Sequence, residues 1–138
     1  MHYQFPLLNR LRVLVVDGDS DSRYLLSTLF QMYGIETIAV ETASETLDIL
    51  EQVQPDLVIS EILLPDEDGF SLVQKIKAIE QVKKYQIPTI AFTTYKDGMA
   101  YSSALAAGFC RCLFKPLLID ELMTVISQLT ENILVPVS

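Results

Sequence analysis

Residues 55–70 read PDLVISEILLPDEDGF, and this stretch decides the architecture. Pro55 stops the segment before it, Leu57–Ser60 is a short apolar run, and the PDEDG turn (65–69) precedes helical spacing from Phe70 to Val82. A run without polar alternation is what a strand covered on both faces requires. Glu61 stands just past its end. Working outward, the same grammar recurs: Leu11–Val16 leads to Asp17, Ile87–Thr93 closes on Thr93, and Phe109–Phe114 leads to Lys115. Ile35–Val40 supplies one more strand.

Between the strands lie helical stripes. Ser20–Tyr33 places Leu25, Leu26, Leu29, Phe30 and Tyr33 at helical spacing before Gly34, a C′ candidate. Thr42-Ala-Ser-Glu45 reads as a capping box, with Leu47, Leu50 and Val53 on the buried face that follows. Asp97 can cap a helix running to Ala107, and Leu118–Leu129 is a final amphipathic helix. Strands alternating with helices predict right-handed crossovers and a doubly wound α/β sandwich of three layers.

The chain has 138 residues, half of them apolar and 20% charged, which suits one globular domain. We expect it over 10–131, with a leader (1–9) and a tail (132–138). Its formal charge of −8 argues against direct binding to nucleic acid or an anionic membrane. No run approaches the roughly 20 apolar residues of a membrane span, and MHYQFPLLNR lacks a secretory pattern. Cys110 and Cys112 read as free thiols of a cytoplasmic protein, and the sole His2 lies in the leader.

In an open parallel sheet the ligand site lies outside the carboxyl ends of the strands. Asp17, Glu61, Thr93 and Lys115 all fall there. With RVLVVDGDSDSR, PDLVISEILLPDEDGF, IPTIAFTTY, ALAAG and Lys115-Pro116, the chain resembles the receiver domain of bacterial response regulators. That resemblance implies a flavodoxin-like (βα)5 fold with strand order 2-1-3-4-5. It implies an acidic pair and an acceptor Asp that bind magnesium, phosphoryl transfer from a histidine kinase, and phosphoryl contacts from Thr93 and Lys115.

Three departures change the expectation. Gly18 stands where the second acid belongs, Glu61 stands at the acceptor position, and Cys112 replaces the switch aromatic. Asp19 is one residue further on and can cap the next helix instead. Asp17 and Glu61 alone make a poor magnesium site, so weak Mg2+ binding or no cofactor is expected. Misplacing the attacking oxygen by about 1 Å can cost roughly a hundredfold in rate, which argues against phosphotransfer.

The expected function is therefore that of a degenerate receiver, not an enzyme, held in a fixed state by a Glu61–Lys115 ion pair. It would act through contact with a histidine kinase, another signalling protein or a second copy. Tyr101, Cys112, Phe114 and Met123, on the fourth helix, fifth strand and fifth helix, are the candidate partner surface. No output domain is expected after Leu129. The rivals are a phosphorylatable receiver that tolerates Glu and a small-molecule or flavin-binding domain of the same architecture. For each residue a plainer reading stands beside this one: Lys115 as a mere charge partner, Thr93 as a strand end, and Asp66 and Asp68 as turn formers.

Overall fold

The computed structural model describes residues 11–95 and 97–134. The expected leader (1–9), with His2, lies outside the described residues, as does the expected tail beyond Leu134. Strands β1 (Arg12–Val16), β2 (Glu36–Val40), β3 (Leu57–Ser60), β4 (Thr89–Thr93) and β5 (Arg111–Phe114) alternate with five helices. These are α1 (Ser20–Met32), α2 (Ala43–Gln52), α3 (Gly69–Lys83), α4 (Ala100–Ala107) and α5 (Ile119–Leu134). All pairings are parallel, in the order β2-β1-β3-β4-β5. This is the doubly wound, flavodoxin-like sandwich that the sequence pattern and the resemblance implied.

The pleat sorts the core into layers, because successive strand residues face opposite sides. Val13 and Val15 join Phe30, Ile59, Phe92, Met123 and Ile126 in one cluster. Leu14 and Val16 join Leu50, Val58, Leu72 and Ile76 in the other. A third cluster gathers Ile62, Val73, Ala91, Ala104, Phe109 and Cys112. Among the described residues, no helix is long and apolar enough to cross a membrane.

Register places the site. Val16 is level with Ser60, Ser60 with Ala91, and Thr93 with Phe114. The next residues on these strands, Asp17, Glu61 and Lys115, therefore leave the sheet at one edge. Element ends differ modestly from expectation. Strand β4 begins after Pro88, which has no N–H to give the ladder. Helix α4 begins at Ala100, three residues after Asp97, and α5 runs on to Leu134. Leu25, expected on the buried stripe of α1, is 50% exposed, because the stripe centres on Leu26, Leu29 and Phe30.

Candidate functional site

The ends of β1, β3 and β5 converge on one ammonium group. Lys115 Nζ lies 2.8 Å from Asp17 Oδ2, 3.1 Å from Glu61 Oε1 and 3.1 Å from Ser22 Oγ. Its three protons thus have three acceptors. It also sits 5.7 Å from the centre of the buried Phe92 ring, within cation–π range. Asp17 and Glu61 are 2% and 5% exposed, so each charge needs a partner.

The acids are satisfied on their remaining sides too. Asp17 Oδ1 accepts from the Asp19 amide at 2.9 Å. Glu61 Oε2 accepts from the amides of Ile62 (2.7 Å) and Leu63 (3.2 Å), and Oε1 lies 3.4 Å from the Thr94 amide. The extra methylene of Glu lets its carboxylate curl back over its own chain while one oxygen still reaches Lys115.

Burial pushes the Glu61 carboxyl up, but the Thr93 hydroxyl, the Leu63 amide and the Lys115 ammonium outweigh it and hold it below the usual range. Burial pushes Lys115 down, and Asp17 followed by Glu61 outweigh that, leaving it above its ordinary value. The sign follows by linkage. Glu61 contributes stability above its unfolded value, near pH ~4.3, that is lost as pH falls through its folded value. Lys115 contributes stability below about pH 10.4 that is lost as pH rises through its folded value. Glu61→Gln is expected to shallow the acid limb of stability against pH, measured by urea midpoints. It will not abolish that limb, because Asp66 and Asp97 are also held low by hydrogen bonds. An acid limb identical to wild type would refute the assignment.

A cleft of about 470 Å³ opens over this group, lined in part by Asp17, Gly18, Asp19, Pro65, Thr94 and Lys115. A Cβ on Gly18 would lie 3.0 Å from Pro65 Cγ and Cδ, so the proline ring closes over the position where a second acid would project. The loop carrying Pro65 is fastened across the molecule. Asp66 accepts from the Ala43 and Ser44 amides at 3.0 and 2.9 Å, closing the N-terminus of α2 alongside Thr42. Asp66, in the bend at 65–67, thus also serves as a long-range helix cap. Asp68 caps α3 through the Ser71 amide at 2.8 Å.

The other sequence candidates fall as follows. Asp19 is exposed and caps α1 through the Asp21 and Ser22 amides. Thr93 is fully buried and accepts from the Tyr95 amide at 2.9 Å, while Thr94 is the residue lining the cleft. The proposed partner surface needs correction. Cys112 is 5% exposed and Met123 fully buried, because the inward stripe of α5 runs through Leu122, Met123 and Ile126. Tyr101, half exposed, and the partly buried Phe114 are what remain of it.

The donor set does not fit a divalent hard cation, which wants several free oxygen ligands and retained waters. Both carboxylates already bind protein donors, and a metal at Asp17 and Glu61 would have to displace Lys115. Among the described residues, no group of three or more His, Cys, Asp or Glu side chains is arranged to hold a metal ion.

Comparison with known proteins agrees with this architecture. The family model described as "Response regulator receiver domain" matches residues 13–127. A 14.6 kDa protein in the sodA1 3′ region of Leptolyngbya boryana is 34% identical over 121 residues, covering 88% of this chain and 91% of that one. The DNA-binding transcriptional regulator NtrC of Proteus hauseri is 37% identical over 116 residues, 84% of this chain but 24% of the regulator. The chain thus spans about a quarter of that relative. A two-component response regulator from Clostridium difficile superposes with a TM-score of 0.81 at 24% identity, covering 89% of this chain and 98% of that one. The Francisella response regulator 1452 receiver domain gives 0.77 at 25% identity, with 89% and 98% covered.

Proposed function

Because the chain belongs to the response regulator receiver domain family, we propose that it serves two-component signalling in the cytoplasm as a pseudo-receiver held in one state. Receiver domains are signalling modules that bind Mg2+ at their phosphorylation site and work with histidine kinases and effector domains. In this chain Glu61 stands at the acceptor position and performs no phosphotransfer. The observation that carries this reading is the Lys115 bridge, 3.1 Å to Glu61 and 2.8 Å to Asp17.

Phosphoryl transfer needs an unencumbered oxygen in line with the donor phosphorus and positive charge to neutralise the transferring group. One Glu61 oxygen is held by two backbone amides and the other by Lys115. The cation that would assist has no vacant carboxylate to bind. The pair imitates a phosphoryl–lysine contact with one negative charge in place of about −1.5 to −2. The output is protein–protein contact, with Tyr101 and Phe114 on the face offered to a partner or a second copy.

Intact-mass measurement after incubation with acetyl phosphate and magnesium tests the reading. Wild type is expected to stay unmodified, and the Glu61→Asp, Gly18→Asp double variant to gain one phosphoryl group. The aspartate at 18 requires Pro65 to yield by a few tenths of an ångström, so circular dichroism should confirm that the variant folds. Modification of wild type on Glu61 would overturn the proposal in favour of a receiver that tolerates Glu. A folded double variant that stays unmodified would show that these two positions do not account for the loss.

A further inference from the structure

The segment between β3 and α3 runs along the cleft, which Leu63, Leu64 and Pro65 help to line. It is tied down at both ends. Toward α2, Asp66 accepts from the Ala43 amide on one carboxylate oxygen and from the Ser44 amide on the other. A carboxylate at a helix N-terminus gains from the dipole as well as from the two bonds. Toward α3, Glu67 accepts from Lys75 Nζ at 2.9 and 3.0 Å, and the Gly69 amide returns to the Ile62 carbonyl at 2.7 Å.

Two parts of the site depend on where this segment lies. The Leu63 amide donates to Glu61 Oε2 at 3.2 Å, and Leu63 is itself exposed, so water competes for that bond. Pro65, one peptide bond from Asp66, holds its ring 3.0 Å from the place of a Cβ on residue 18. That approach is comfortable only over a glycine. Holding Asp66 therefore holds both contacts.

We propose that Asp66 is a positioning residue: by anchoring the β3–α3 segment to the start of α2, it keeps Pro65 down on Gly18 and the Leu63 amide on Glu61. The segment is a strap along the cleft, and displacing the start of α2 loosens one of the bonds that hold the Glu61 carboxylate. The proposal rests on the fixed-state reading above and names a part outside the ion pair that maintains it. A side chain at position 18 would push on the ring beside the anchor and strain the same tie. Spatial continuity alone does not establish coupling, and a double-mutant cycle measures it.

Hydrogen exchange of the Leu63 amide, followed by NMR in the full chain, supplies the readout, with the sheet amides of Val15 and Ile59 as reference. Asp66→Ala is expected to speed Leu63 exchange by about fivefold or more while the reference amides hold their rates. Asp66→Asn keeps one side-chain oxygen for the α2 amides, so it should give a smaller acceleration, and it serves as the test if Asp66→Ala does not fold. Gly18→Ala is expected to speed Leu63 exchange when Asp66 is present and to add little in the Asp66→Ala background. Acceleration confined to the first turn of α2 would leave Asp66 a helix cap and nothing more. That result, equal acceleration at Leu63 and the reference amides, or an equal effect of Gly18→Ala in both backgrounds would overturn the proposal. The acetyl phosphate experiment stands apart. A modified wild type would sink the fixed-state reading whatever Leu63 does, and an unmoved Leu63 amide would sink the strap alone.

Discussion

Lys115→Met is expected to lower the free energy of unfolding by about 3–5 kcal/mol. The substitution keeps the length and apolar bulk of the stem and removes only the charge. What remains is two carboxylates, 2% and 5% exposed, that faced one ammonium and now face each other. Removing one partner of a buried ion pair costs far more than the pair contributes, because the orphaned charge has no water to turn to. Lys115 keeps 14% of its side-chain exposure, which places the effect toward the lower end. Urea unfolding at neutral pH checks this, and the loss should shrink in acid as Glu61 takes up a proton. Adding Glu61→Gln should recover part of the stability. A loss below about 1 kcal/mol, within the range of a surface pair, would mean that water already screens the site.

The second large effect is expected at Gly69. A Cβ there would lie 2.7 Å from the Glu61 carbonyl oxygen and 2.8 Å from Ile62 Cα. Both are backbone atoms, which cannot swing aside as a side-chain end would. In an ordinary helix Gly→Ala stabilises by up to ~1 kcal/mol. Here that gain opposes an overpacking cost of about 1–3 kcal/mol, and the upper figure applies where backbone must move. The net expectation for Gly69→Ala is a loss of about 2 kcal/mol in chemical denaturation. The Gly69 amide bonds Ile62 O at 2.7 Å, so the strain would also reach the chain beside Glu61. A neutral or stabilising Gly69→Ala would show that α3 can slide off the end of β3.

Much of this was legible in the residues. Asp17, Glu61 and Lys115 follow apolar runs, and a parallel register carries them to one edge. The Thr42–Glu45 box is local, and the Glu45 amide does donate to Thr42 Oγ1 at 3.1 Å. The capping role of Asp66 was not legible because its partners lie 22 and 23 residues away. Acidic loop residues favour turns in isolation, and only the folded chain brings the α2 amides within reach. Met123 was misassigned because the helical period of α5 cannot say, without its neighbours, which edge of the stripe is covered. Tyr95 carries no periodic signal of its own, and its edge-to-face packing on Phe70 exists only in the folded chain.

The reach of the Lys115 bridge has a consequence in time. Its contact with Asp17 spans 98 residues and that with Glu61 spans 54. Neither can form until the last strand of the sheet has docked. A bridge that forms only after the folding transition state would leave the rate of reaching the native state almost untouched and slow the escape from it, and Lys115→Met is then expected to speed unfolding more than it slows folding, as stopped-flow chevrons measure. On that expectation the bridge is a latch on a finished molecule, setting how long each folded copy lasts rather than how quickly it is made.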